Sequence, residues 1–165
     1  MSAFSGQPEF LVFLDFDGVL HPVRANEHER FKPEAIYFVN RILDALNAKI
    51  VLSTAWRMES DIEKFNAWFK GRIIGSTPIH ELDLTAQHVR FKEAMNFLTD
   101  KNWLHVPWIA IDDKRMHFPE SSPAFITDAK VGITSNDADN IILIGRSMKF
   151  AQQSLLDAIN QRSSV

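Results

Sequence analysis

An α/β fold built on a mainly parallel sheet is what this 165-residue chain predicts, and three observations predict it. Short unbroken apolar runs, rich in β-branched and aromatic residues, recur at 10–14, 50–52 and 108–111, as in strands buried on both faces. Segments with apolar residues at helical spacing separate them, so strands and helices alternate. No internal repeat, low-complexity tract or linker divides the chain, whose length lets one domain bury about 70% of its unfolded surface. The expectation is one domain over 1–165, helices on both faces of the sheet, and a flexible N-terminus at 1–9.

Phe10-Leu11-Val12-Phe13-Leu14 is the first strand and runs into Asp15. A polar stretch from His21 to Phe31 follows. Pro33 then stands at a first helical position, ahead of apolar residues at 36, 39, 42, 43 and 46, the spacing of a helix packed on a sheet. Ile50-Val51-Leu52 is a second strand ending in Ser53-Thr54, and Glu59 to Phe69 reads as a helix with Ile62, Phe65, Trp68 and Phe69 inward. Arg72 to Gly75 is a third strand, with a loop from Ser76 to Gln87. Arg90 to Lys101 has helical spacing through Phe91, Ala94, Met95 and Leu98. Trp108-Ile109-Ala110-Ile111 is the next strand and ends in Asp112-Asp113, and Ala124 to Thr127 is a fifth. Two helices, Asp137 to Ile144 and Phe150 to Ile159, complete the reading.

Composition removes several classes of function. The 45% hydrophobic and 24% charged fractions are those of an ordinary globular protein. Lys and Arg total 18 against 21 Asp and Glu, so no uniform basic field draws in nucleic acid. With no cysteine, disulfides, thiolate nucleophiles and zinc–thiolate sites are all excluded. Residues 1–9 lack a basic segment followed by an apolar stretch, and no apolar run approaches the roughly 18 residues of a membrane span. A cytoplasmic location and no membrane partner are the expectations.

In open parallel sheets, ligands bind at the carboxyl ends of the strands. Three strands here end in polar groups: Asp15-Phe16-Asp17-Gly18, Ser53-Thr54 and Asp112-Asp113. If the strands are parallel, these groups meet at one edge. Gathering Asp15, Asp17, Asp112 and Asp113 there is repulsive unless a cation compensates. An oxygen-only ligand set favours Mg²⁺ over zinc, and Mg²⁺ commonly binds through one or two carboxylates plus a substrate phosphate. The pattern therefore predicts an anionic substrate.

The run Phe13-Leu14-Asp15-Phe16-Asp17-Gly18-Val19-Leu20 resembles the first motif of the haloacid-dehalogenase-like (HAD) hydrolase superfamily, a strand ending in Asp-x-Asp-Gly. Ile50 to Thr54 is similar to the second motif and Trp108 to Asp113 to the acidic fourth. Arg90 or Lys92 is similar to the basic third. Order and spacing agree over residues 10–135. Ser-Thr-Ala-Trp-Arg at 53–57 and Arg90-x-x-Glu93 look most like the small HAD domain of Swiss-army-knife RNA-repair proteins. The resemblance implies a single Rossmann-like domain.

It also implies a mechanism. Asp15 would attack phosphorus to give an aspartyl-phosphate, and Asp17 would protonate the departing oxygen and later activate water. Mg²⁺ would be held by Asp15, the Asp17 backbone carbonyl and Asp112, with Asp113 a ligand through water or a partner of the basic residue. Thr54 or Ser53, with Arg90 or Lys92, would bind the phosphoryl oxygens; Thr54 and Arg90 are preferred. Thr54 stands where the chain turns toward a helix, and Arg90 has the subgroup spacing to Glu93. Arg57 is a candidate second phosphate contact, and Gly18 lets the chain turn sharply after Asp17.

Other residues carry weaker signals. His21, His80, His88, His105 and His117 lack metal-ligand spacing and read as surface or hydrogen-bonded residues. The tryptophans fall mostly at core positions, with Trp56 near the site. Arg24, His28 and Arg30 form a basic cluster after the first motif, equally consistent with a solvated loop and with holding a nucleic-acid backbone. A nucleic-acid partner has no broader support.

Superfamily caps are inserted after the first motif or between the second and third. Here the stretches from Asp17 to Thr54 and from Thr54 to Arg90 are each filled mainly by one helix and short connections, so no folded cap fits. An open site suits a phosphate on a macromolecule, such as a nucleic-acid end, or a partner subunit acting as lid. The leading expectation is a Mg²⁺-dependent phosphomonoester hydrolase. The competing one is a non-hydrolytic phosphate- or metal-binding regulatory domain of the same fold, such as a receiver-like phosphoacceptor. The presence of Asp17 argues against it. Substrate identity and oligomeric state are left open.

Overall fold

The structure is a computed structural model that describes residues 6–58, 62–79 and 87–163. Strands β1 (Phe10–Leu14), β2 (Ala48–Leu52), β3 (Ile73–Ser76), β4 (Trp108–Asp112) and β5 (Ala124–Ile126) form one open sheet in the order β3-β2-β1-β4-β5. Every pairing is parallel, as the apolar runs predict. β1 is central because it is apolar at every position, and all five of its residues are buried. Each large apolar side chain buried this way contributes about 2 kcal/mol.

The pleat divides β1 between two cores. Phe10, Val12 and Leu14 pack with α1 (Pro33–Leu46), α2 (Ile62–Trp68) and the first turns of α4 (Ser135–Ser163) on one face. Leu11 and Phe13 pack with α3 (Val89–Asp100) on the other. Helices therefore cover both faces. On the α3 side, Phe13 meets Phe97 and Trp108 edge-on, with ring centroids 6.0 and 5.3 Å apart.

α1 starts at Pro33, whose missing N–H costs nothing there, and stops at Asn47 in the left-handed conformation (φ 48°), whose N–H bonds to the Leu43 carbonyl. That stop lets β2 begin two residues before the predicted Ile50. Leu14 is in register with Leu52 of β2 and Ile111 of β4. The residues that follow, Asp15, Ser53 and Asp112, consequently emerge at one level.

Four sequence expectations need correction or restriction. The two predicted C-terminal helices are one continuous α4, whose Gly145 is no breaker because Leu46 packs against it; a Cβ there would lie 2.4 Å from Leu46 Cδ1. α2 ends at Trp68, with Phe69 in the following turn; the expected start at Glu59 lies outside the described residues. The predicted loop after β3 loses Ser76 to the strand, and its residues 80–86, with His80, also lie outside them. Of the N-terminal segment, 1–5 lie outside, while Pro8 is buried and Glu9 accepts from Lys149 Nζ at 3.0 Å. No helix among the described residues is long and apolar enough to cross a membrane.

Candidate active site

The sheet order reverses at β1: the chain steps outward through β2 and β3, then returns to add β4 on the other side. Such a switch point leaves a crevice at the carboxyl ends of the strands, and it is here that Asp15 and Asp112 stand. Strand alternation puts Asp15, Ser53 and Asp112 on the α3 side, continuing Leu11/Phe13, Val51 and Trp108/Ala110. Backbone bonds fix the level: Asp15 N–H donates to Ile111 O at 3.0 Å and Ser53 N–H to Leu14 O at 2.9 Å.

Asp15, Asp112 and Asp113 each offer an oxygen within 4.8 Å of the others. Burial first, and the Asp112 carboxylate second, push the Asp15 carboxyl well above its ordinary range. Asp113 is raised for the same two reasons. The Phe16 N–H, 2.8 Å from Asp15 Oδ1, and the Thr54 hydroxyl oppose this only in part. Asp113 Oδ1 is buried with no hydrogen-bond partner among the described residues. An all-oxygen cluster with mutual repulsion and an unsatisfied oxygen fits a hard divalent cation such as Mg²⁺.

Asp112 is braced from both sides. Its Oδ1 accepts Lys114 N–H at 2.8 Å, and Oδ2 lies 3.3 Å from Nδ1 of the buried His117. Gly18, with φ 73°, makes room for the cluster, since a Cβ on it would lie 2.5 Å from Asp113 Cβ.

The Asp17 carboxylate is not in this cluster, which corrects the expectation of four gathered carboxylates. Its Oδ1 accepts from His21 Nε2 at 2.9 Å and its Oδ2 from Trp56 Nε1 at 3.0 Å. The His21 bond is the main cause of a lowered Asp17 pKa. The side chain is still 44% exposed, within reach of a substrate. Only its backbone carbonyl is left to the metal role that the resemblance implies.

The cations divide clearly. Arg90, in the first turn of α3, is buried and donates Nη1–H to Glu93 Oε2 at 3.0 Å. Arg57, in the 3-10 turn Ala55–Met58 after β2, donates Nη2–H to Glu93 Oε1 at 3.0 Å and Nη1–H to Thr54 O at 2.7 Å. Both charges act on Asp15. Glu93 thus holds two guanidiniums beside the cluster, and the Nε of each is buried without a partner among the described residues. Lys92 is exposed, well round the helix from Arg90. Thr54 is buried and reaches Asp15, whereas the Ser53 hydroxyl is buried without a partner.

Sequence reasoning places Trp56 near the site but not its bond to Asp17, and it does not place His21 or His117 there at all. None has ligand spacing, because each acts by holding a carboxylate. The only sequence signal was proximity to a motif: His21 and Trp56 lie within four residues of Asp17 and Thr54.

One family model, described as the HAD domain in Swiss Army Knife RNA repair proteins, matches residues 11–138. No match was found among curated proteins or among solved structures. The matched span runs from the second residue of β1 into the first turn of α4 and takes in every residue of the site. With its strand order, its Asp-x-Asp-Gly turn and more than half its length accounted for, the chain belongs to this family of HAD domains.

Proposed function

We propose that the protein is a Mg²⁺-dependent phosphomonoester hydrolase that works through an aspartyl-phosphate on Asp15. The observation that carries this reading is the placement of Asp15 at the switch point. It is 6% exposed, beside two further carboxylates on one side and the Arg57–Glu93–Arg90 group on the other. A carboxylate nucleophile and donors for an anion converge on one place.

In the first step an Asp15 carboxylate oxygen forms a bond to phosphorus as the ester P–O bond breaks, and the leaving oxygen takes a proton from Asp17. In the second, Asp17 accepts a proton from water as its oxygen attacks phosphorus. The bond to Asp15 breaks, and inorganic phosphate leaves. In the free site Asp17 is ionised, ready for the second step; a phosphate dianion beside it raises its proton affinity for the first. Arg90, Arg57 and Thr54 supply the fixed donors for the phosphoryl oxygens. Asp15, Asp112 and the Asp17 carbonyl, with Asp113, are the residues to hold Mg²⁺, which when bound supplies positive charge against the transferring group.

The segments that would carry a cap contain, among the described residues, only α1, β2, α2, β3 and short turns. This favours an exposed phosphate on a macromolecule, a nucleic-acid end included. Hydrolysis of p-nitrophenyl phosphate with Mg²⁺ or with EDTA, by wild type and Asp15→Asn, tests the reading. Activity is expected only for wild type with Mg²⁺. Metal-independent turnover, or an active Asp15→Asn, would sink it.

A further inference from the structure

We propose that the cavity between loops 18–25 and 127–133 seats the leaving group of the substrate, and that it takes an organic leaving group bearing a second phosphate. The proposal rests on the hydrolase reading above and adds what the site recognises beyond the scissile phosphate.

The cavity measures about 620 Å³, and its walls include Pro22, Val23, Arg24, Glu29, Asp113 and Lys130. That volume lies within the usual range for small organic ligands. Asp113 belongs both to this wall and to the carboxylate cluster, so the cavity opens directly beside the reacting edge.

The cavity is built into the fold. Val23 N–H donates to Ala129 O at 2.9 Å, Ile133 N–H to Val19 O at 2.8 Å, and the Thr127 hydroxyl to Gly18 O at 2.8 Å. These bonds tie the loop after β1 to the loop after β5. Their approach is close enough that a Cβ on Gly132 would lie 2.7 Å from Val19 O. A preformed cavity avoids the ordering cost of a loop that must fold around its ligand.

Its chemistry is two-sided. Pro22 and Val23, with the alanines at 25 and 129, present apolar surface suited to the body of an organic group. Arg24 and Lys130 are exposed cations contributed by the two opposite loops. Glu29 is partly engaged, its Oε2 accepting Asn26 N–H at 3.0 Å. A ligand that uses both cations needs its own anionic group, away from the phosphate at Asp15. Arg24 thereby gains a role within the basic cluster that sequence alone left equally consistent with a solvated loop.

The test compares adenosine 3′,5′-bisphosphate with adenosine 3′-monophosphate and 5′-monophosphate, using wild type and the charge-reversed Arg24→Glu/Lys130→Glu. The quantity read is the ratio of kcat/KM for the bisphosphate to that for the better monophosphate. In wild type it is expected to be about tenfold or more, the size of a charge-assisted contact, and in the variant to fall to about one. Both substitutions are at exposed positions, and circular dichroism with thermal melting confirms the fold of the variant. A wild-type ratio near one, or a high ratio kept by the variant, overturns the proposal and leaves the hydrolase reading intact. If no substrate is turned over, the hydrolase reading fails, and calorimetric binding of the bisphosphate decides. Binding weakened about tenfold by charge reversal supports the cavity, whereas equal or absent binding overturns it. Inorganic phosphate is the control for a free-anion site: if its binding is as sensitive to charge reversal as that of the bisphosphate, the leaving-group assignment is wrong.

Discussion

His21 holds Asp17 through one defined tautomer. Phe31 N–H donates to His21 Nδ1 at 3.2 Å, so that nitrogen carries no proton and Nε2 is the donor to Asp17 Oδ1 at 2.9 Å. Phe31 sits at φ 54° and meets His21 and Trp56 edge-on, so the His21 and Trp56 bonds share one aromatic support. Arg30 covers the Trp56 ring at 5.5 Å. Trp56→Phe keeps most of the ring surface and deletes the N–H to Asp17. The expected result is a kcat about tenfold lower with KM within about threefold, at a stability cost of about 1 kcal/mol. A raised KM with unchanged kcat would show that Trp56 acts on binding and not on Asp17.

Removing the metal should reveal opposing titrations. Asp15 and Asp113 have folded pKa values above the unfolded carboxyl value, through burial first and Asp112 second. The folded state then binds more protons, so in EDTA stability falls as pH rises from about 4 through their folded pKa values. Asp17 has the opposite sign: depressed mainly by the His21 bond, it contributes stability above about pH 4 that is lost as pH falls through its folded pKa. Adding Mg²⁺ should restore stability on the high-pH side, by about 2.7 kcal/mol at a hundredfold excess over Kd, and raise Tm with it. Melting curves in EDTA and Mg²⁺ from about pH 2 to about pH 8 check both limbs, the Asp17 loss lying below about pH 4. A Tm indifferent to Mg²⁺ at neutral pH contradicts the cluster as a cation site.

Gly18→Ala should damage the same cluster through the backbone. The position has φ 73°, and the new methyl would meet Asp113 Cβ at 2.5 Å. Left-handed strain and this clash together are expected to cost about 2–3 kcal/mol. Because the clash falls on Asp113, Mg²⁺ should also bind about tenfold more weakly. Urea unfolding with and without Mg²⁺ measures both, and wild-type values for both would refute the account.

The parts of the site legible in the sequence are those at which an apolar run stops. Leu14, Leu52 and Ile111 end apolar runs long enough to be read without a structure, so Asp15, Ser53-Thr54 and Asp112 can be placed at one edge. Single-residue periodicity cannot reveal contacts across the fold. Trp56 is 39 residues from Asp17, and their bond exists only because β2 pairs beside β1. His21 is four residues from Asp17, the spacing of a helix, yet the two meet through an isolated bridge in a turn. The continuity of α4 through Gly145 is hidden for a related reason: the small size of that residue serves the approach of Leu46, a residue on another helix. Arg90 was preferred over Lys92 from its spacing to Glu93, and the buried face of α3 has that spacing.

Glu93→Gln tests whether the two arginines depend on one carboxylate. Glu93 is fully buried, with an oxygen 3.0 Å from Arg57 Nη2 and the other 3.0 Å from Arg90 Nη1. Burial, and after it the charge of Arg90, already lower the Arg57 pKa, while Glu93 opposes both. Neutralising Glu93 leaves two adjacent buried cations and turns an amide N–H toward one of them. A loss of about 3–5 kcal/mol is expected, the range for removing one member of a buried ion pair. Arg57→Met alone should cost less, because Glu93 keeps Arg90. The double variant should be more stable than the sum of the two losses predicts, since removing Arg57 also removes the repulsion that Glu93 had balanced. Urea unfolding of the four proteins gives the coupling energy. Additive losses would mean that Glu93 serves Arg90 alone, and that Arg57 is held by Thr54 O without it.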